Sequence, residues 1–345
     1  MARRLLWASL ALAPATMVFA YAVHPGKVTL FVLAGVSLIP LAWLIGEATE
    51  NAAEHTGPGI GGFLNASFGN APELIIALFA VNDNLPEVVR GSLSGSVISN
   101  LLLVFGITQV LGPEWGALDR RSLVTHVGLV LSATAALVTP VVLGYRGDPN
   151  RHTAVLVSIP VAVVLLLGYL AFTGANLRRH GEVEHEPRSD AWTLSMALAV
   201  LGVATAATAV ISEILVHSLD AFAHAVGLSE FFIAVVIVAI VGNAAEHGGA
   251  GVIAHRGRMR LASEIAISSA AQVALLVLPI VMLLSLAFAH PLALTFRWAE
   301  LGWMAGAAIL VGGAIADAKS QRREGVVLLI AYAAAVATFY VAGNR

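Results

Sequence analysis

Along this chain, apolar stretches of about twenty residues alternate with short polar breaks. A helix rises about 1.5 Å per residue, so about 20 apolar residues cross the hydrocarbon core of a bilayer. Eleven stretches reach that length: 4–22, 28–52, 58–82, 87–112, 121–144, 153–177, 191–218, 228–253, 261–288, 293–316 and 324–342. We call them segments M1 to M11. Turn-forming residues gather between them, as at His24-Pro25-Gly26-Lys27, Asn82-Asp83-Asn84, Arg146-Gly147-Asp148-Pro149-Asn150 and Lys319-Ser320-Gln321-Arg322-Arg323. Strands of a membrane barrel would be about ten residues long and alternate in polarity. These runs are too long and too evenly apolar for that. The pattern predicts an all-α membrane protein with eleven transmembrane helices.

Composition narrows the classes. Of 345 residues, 58% are hydrophobic and 12% charged, against about 25% charged in an average soluble domain. So few charges cannot cover a water-exposed surface of this size, which excludes a soluble enzyme, a nucleic-acid binder and a disordered chain. The net charge of −2 gives no bulk attraction to nucleic acid. Without cysteine there is no disulfide, thiolate metal site or thiol nucleophile. No His-Glu-x-x-His occurs, so an intramembrane metalloenzyme has no motif to rest on.

Charge placement predicts orientation. M1 carries Arg3 and Arg4 before an apolar run and small residues near Ala20 and Ala22, which resembles a signal peptide; its length predicts a retained helix. With the N-terminus inside and loops assigned alternately, 13 basic residues fall inside and 6 outside. Basic residues favour the cytoplasmic side, so the N-terminus is expected in the cytoplasm and the C-terminus outside. The expected membrane is a bacterial inner (plasma) membrane. The longest polar stretch, 178–190, would be a cytoplasmic linker.

The chain also repeats itself. Gly69-Asn70-Ala71-Pro72-Glu73 matches Gly242-Asn243-Ala244-Ala245-Glu246 at an offset of 173. The same offset carries Ser96 onto Ser269 and Leu102-Leu103-Val104 onto Leu275-Leu276-Val277. A competing match, Asn51-Ala-Ala-Glu54-His55 with Asn243-Ala-Ala-Glu246-His247, carries none of these partners. M2–M6 (28–177) therefore repeats as M7–M11 (191–345), with residues 1–27 outside the repeat. Five helices is an odd number, so the second unit would enter the membrane in the opposite sense. Inverted repeats of this kind mark secondary transporters, whose sites lie near the midplane between the repeats.

A carboxylate within a span is costly and marks function by default. Glu73 and Glu246, one from each repeat, would face each other across the pseudo-two-fold axis. Gly69 and Gly242 permit close backbone approach. Pro72 lacks an N–H, which frees a helical carbonyl as an oxygen ligand. Asn70, Asn243, Ser96 and Ser269 add neutral oxygens to the ligand set, and Ser99 and Gln272 support them from behind. Two carboxylates with neutral oxygens make a hard, flexible site suited to Ca²⁺ rather than Mg²⁺. Protons would compete with Ca²⁺ for Glu73 and Glu246, which couples the two without a separate device. His247 points about 100° away from Glu246 on a helix and suits packing or pH tuning. Glu47, Glu50 and Glu54 read as a solvated mouth, Glu213 and Glu264 stay ambiguous, and Glu114 and Asp317 read as end charges.

These motifs resemble the calcium/proton exchanger family of the calcium/cation antiporters. The carriers are Gly69 to Leu74, Val241 to His247, Gly95-Ser96, Asn100 to Val104, and Ser268-Ser269-Ala-Ala-Gln272. The resemblance spans about 28–342. It implies Ca²⁺/H⁺ antiport, with Glu73 and Glu246 alternately holding Ca²⁺ and protons and with M2 and M7 as sliding gates. It implies no cofactor and no partner beyond the two ions and the bilayer, and leaves a homo-oligomer open. Sodium-coupled calcium exchange on the same scaffold is the alternative. The chain departs from the family pattern in having Ser268-Ser269 where Gly-Ser is expected, and its linker is short and weakly acidic.

Overall fold

The computed structural model describes residues 2–144, 152–180 and 192–343. The expected linker therefore lies, beyond His180, outside the described residues. Among the described residues every regular element is helical, apart from an isolated bridge between Ala117 and Lys319. In chain order the helices are α1 (Leu5–Val23), α2 (Lys27–Phe68), α3 (Ala71–Asn82), α4 (Pro86–Leu111), α5 (Arg120–Gly144) and α6 (His152–His180). They continue as α7 (Leu194–Val226), α8 (Glu230–Gly242), α9 (Ala244–His255), α10 (Met259–Ser285), α11 (Trp298–Ala314) and α12 (Arg322–Gly343).

Eight of these stretches are long and apolar enough to cross a membrane, or nine if the bent pair α8 and α9 forms one span. The segments expected at M3 and M10 fall short of that length: α3 has 12 residues and α11 has 17. The break expected between M2 and M3 is also displaced. Thr56-Gly57-Pro58-Gly59 reads as a turn, yet α2 continues through it for 42 residues, about 63 Å at helical rise. Proline and glycine are tolerated in membrane helices because neighbouring groups compensate for the lost backbone bond. The helix stops instead at Gly69-Asn70.

The offset of 173 recurs in the helix boundaries. α3 and α9 coincide end for end at that spacing. α4 and α10 start at matching positions, Pro86 and Met259. Both then loosen into a π-helical stretch, Ser99–Val104 in one and Val273–Val277 in the other. Such local widening is frequent at functional sites.

Packing fixes where the polar groups can go. α4 and α10 are the most enclosed of the long helices, whereas α6, α7 and α12 expose most of their surface. That surface carries Val164, Leu167, Val203 and Ile330, each more than half exposed. Apolar outer faces around a small-residue interior are the arrangement of helices in lipid. α2 and α7 lie against each other, with Phe31 stacked on Phe222 at 4.3 Å. At one end of the bundle a charged cluster is partly buried, with Arg90 and Glu300 enclosed and Glu87 and Arg297 at its edge. Arg90 donates to the Thr295 carbonyl (3.0 Å) and hydroxyl (2.8 Å) and pairs with Glu87, which also meets Arg297 at 2.9 Å. Glu300, fully buried, accepts from Ser94 (2.7 Å) and from the Arg297 amide (2.7 Å). The sequence places Arg90 and Arg297 among ordinary outer charges; partners some 200 positions away make them a lock between α4 and α11.

Candidate ion-binding site

Each repeated motif performs the same local act: it ends one helix and starts another. Asn70 and Asn243 adopt nearly the same non-helical conformation, with φ of −96° and −91°. Proline follows at Pro72, where its missing N–H costs nothing in a first turn. Glu73 and Glu246 then occupy the first turns of α3 and α9. The exposed amides of a helix start favour negative charge nearby, which helps keep a carboxylate inside the bundle. α8 and α9 meet at 56° across this break.

The two motifs converge. The Glu73 side chain reaches the break that precedes Glu246. Glu73 is buried, and among the described residues neither of its oxygens is hydrogen-bonded to another residue. It lies against Gly242, where a Cβ would come within 3.4 Å of its Cγ. It borders a narrow cavity lined by Ile76, Ser92, Ser96, Val238 and Gly242. A buried carboxylate with no donor from another residue is costly, and such a group is ready for a cation or a proton.

Glu246 is half-buried and better supported. Ser269 donates to its Oε2 at 2.8 Å. Behind Ser269 stands Asn100, whose Nδ2 lies 3.0 Å from Ser269 Oγ and 3.0 Å from Asn243 Oδ1. Asn243 donates onward to Ser96 Oγ (2.7 Å) and to the Ala239 carbonyl (2.9 Å). Asn70 donates to Gln272 Oε1 at 2.8 Å. Every one of these bonds but Asn243 to Ala239 and Ser269 to Glu246 joins residues more than 140 positions apart.

Most of the expected residues are thus gathered: Glu73, Glu246, Asn70, Asn243, Gly242, Ser96, Ser269 and Gln272. Gly69 lies in the break preceding α3. Ser99 turns back to the Ser96 carbonyl (3.2 Å) and does not reach a carboxylate. His247 is half-buried, its Nε2 without a hydrogen-bond partner among the described residues. Asn100 is the residue that sequence reasoning passed over as a ligand-network member. Its signals were its place at the head of the Asn100 to Val104 motif and its position four residues after Ser96. Among the described residues no group of three or more His, Asp or Glu side chains could hold a metal.

The competing motif has a different use. Asn51 Oδ1 accepts from the Trp192 amide (2.9 Å), and His55 Nε2 is 2.6 Å from the Trp192 carbonyl. It ties α2 to the segment entering α7, next to the ring contacts of Trp7 with Trp43 and Trp192. Glu47 and Glu54 on the same helix are half-buried and Glu50 is exposed, and Glu213 on α7 is half-buried.

A bundle of apolar helices enclosing two carboxylates and a buried amide–hydroxyl network is the build of an ion-carrying membrane protein. The sodium/calcium exchanger protein family model matches residues 27–178 and 196–341. The chain is 38% identical to the Ca(2+)/H(+) antiporter ChaA of Bacillus subtilis over 92% of its length and 93% of that protein's. It is 34% identical to the Ca(2+)/H(+) antiporter of Synechocystis, covering 91% of each. The solved structure of native YfkE superposes with a TM-score of 0.83 at 34% identity, over 97% of this chain and 99% of the other. The chain belongs to the sodium/calcium exchanger protein family, among its calcium/proton exchangers.

Proposed function

We propose that this protein exchanges Ca²⁺ for H⁺ across a membrane by alternating access. Residues 28–177 and 191–345 act as two inverted repeats, preceded by residues 1–27 and joined through 178–190. Glu73 and Glu246 hold Ca²⁺ together in one state and protons in the other. The observation that carries this reading is the pairing of the two carboxylates. Each stands in the first turn of a short helix after a Gly-Asn break, and Glu73 packs against Gly242, four residues before Glu246. Their combined charge of two balances a divalent cation. Asn70, Asn243, Ser96 and Ser269 supply the neutral oxygens that a flexible Ca²⁺ site takes, and backbone carbonyls at the two breaks complete it.

Competition supplies the coupling. A carboxylate left in the bundle interior without Ca²⁺ needs another positive partner, and a proton is the smallest one. Neither charge state crosses unless one ion replaces the other, so cation and protons move in opposite directions. The names of the relatives favour protons over sodium as the counter-ion. The expected direction is Ca²⁺ outward against inward protons, with the N-terminus in the cytoplasm.

Purified protein tests this directly. Adding Ca²⁺ should release protons, and Glu73→Gln and Glu246→Gln should each abolish the release. In everted vesicles Ca²⁺ uptake should stop when the proton gradient is collapsed and should ignore replacement of sodium at fixed pH. Uptake that survives collapse, or that requires sodium, overturns the proposal.

A further inference from the structure

The helices following the two glutamates differ along one corresponding face. At the offset of 173, Gly91, Gly95 and Ser99 of α4 correspond to Glu264, Ser268 and Gln272 of α10. Residues four apart share a helix face. On α4 all three are buried. A Cβ on Gly95 would stand 2.1 Å from the Val235 carbonyl oxygen, and one on Gly91 would stand 3.1 Å from that of Phe231. The backbone of α8 therefore closes this face.

On α10 the same face is open. Glu264, Ser268 and Gln272 are all half-exposed, while Ala262, Ser263, Ala266, Ile267, Ser269 and Ala270 around them are buried. Polar side chains in a membrane helix face the bundle interior or a water-filled cavity rather than lipid, and the partial exposure of these three favours the cavity. The stripe leads somewhere specific. Gln272 accepts from Asn70, and Ser269 beside it donates to Glu246. Its other end lies toward Arg256, Arg258 and Arg260, all exposed. Glu264 to Gln272 covers about 12 Å of helix, close to half of a hydrocarbon core of about 30 Å.

Glu264 is the one acidic residue of Met259–Gln272. Its side chain is 34% exposed, and its carboxylate accepts from Ser122 Oγ at 2.5 Å and lies 3.4 Å from His126 Nδ1. These contacts fix the side chain across the gap between α5 and α10.

We infer that the Glu264–Ser268–Gln272 face of α10 lines the path by which a divalent cation reaches Glu246 from the arginine-bearing end of the molecule, with Glu264 its recruitment group. This rests on the exchange reading above, but it can be tested apart from transport. The chain has no cysteine, so single cysteines report without background. Ser268→Cys in proteoliposomes should react with a membrane-impermeant cationic thiol reagent added at the arginine end, and Ca²⁺ should slow the reaction. Ser99→Cys should stay unreactive from either side. Adding Glu264→Gln to Ser268→Cys should slow the cationic reagent about threefold to tenfold, leave a neutral reagent unchanged, and lose this effect at high salt.

In flux assays, Glu264→Gln should raise the KM for Ca²⁺ on that face by a similar factor and leave the maximal rate within about twofold. Ser122→Ala, which removes the hydrogen bond but keeps the charge, should stay near the wild type. Equal effects of Ser122→Ala and Glu264→Gln, an unreactive Ser268→Cys, or equal slowing of neutral and cationic reagents overturns the inference. Failure of the wild type to exchange Ca²⁺ for protons would instead strike the functional reading, and the cysteine rates would still decide the path.

Discussion

Glu73 and Glu246 begin from the same five-residue pattern and end in different surroundings. Glu73 is buried beside Gly242 with no hydrogen bond from another residue among those described, whereas Glu246 is half-buried and held by Ser269. The difference arises in the helices behind them. Gly95 lets α4 press against the α8 backbone, whereas Ser268, at the corresponding position, leaves its face of α10 open. Asn100 reaches from α4 to brace Asn243 and Ser269, whereas the corresponding Val273 has nothing polar to offer. A repeated motif therefore fixes where a carboxylate stands. The packing around it fixes how exposed and how well supported it is.

The sharpest way to break this comparison is to neutralise each acid in turn. Glu73→Gln and Glu246→Gln should both lower proton-coupled Ca²⁺ uptake by more than about a hundredfold, beyond the 10- to 100-fold usual for residues that only support a ligand. A variant at either position that keeps near-normal uptake in everted vesicles would reduce the pair to a single functional acid.

Next in size is the glycine seam. Gly95→Ala should cost about 1–3 kcal/mol, because the new methyl meets a carbonyl oxygen that cannot move aside cheaply. Ser268→Ala should stay within about 0.5 kcal/mol. Thermal unfolding in detergent measures both, and equal costs would show that the two faces are packed alike.

A smaller effect separates Asn100 from its counterpart. Asn100→Ala should weaken Ca²⁺ binding about tenfold by releasing Asn243 and Ser269 together. Val273→Ala should lower stability through a cavity and leave affinity nearly unchanged. Isothermal titration with Ca²⁺ distinguishes them.

The smallest effect is expected at the outer end of α3. There Asp83 meets His217 of α7 at 3.1 Å, with His217 more than half exposed. Asp83→Asn should change stability by no more than about 1 kcal/mol, as for other exposed pairs. A larger loss would make this contact a structural tie on the Glu73 side alone, since Arg256 stands at the corresponding position after Glu246.

Much of the architecture was legible in the chain. Apolar run lengths gave helices near the expected positions, and rare polar residues at a spacing of 173 singled out both acids. The displaced break between M2 and M3 was not legible, because Gly57-Pro58-Gly59 carries the local signature of a turn. α2 nonetheless runs on through these residues to Phe68. Arg90 and Glu300 also escaped notice. A charge near a predicted helix end reads as interfacial until its partner, some 200 residues away, is seen.

The sequence by itself determined membrane residence, most of the helices and the repeat that singles out Glu73 and Glu246, because each follows from local hydropathy, local turn chemistry or the high cost of charge in lipid. Tertiary structure alone decided that Asn100 joins Asn243 and Ser269, that Asn51 and His55 clamp Trp192, and that Glu246 is braced by another residue while Glu73 is not. Those outcomes depend on which helices touch. Contacts across 140 to 200 residues leave no trace in the local pattern of a chain.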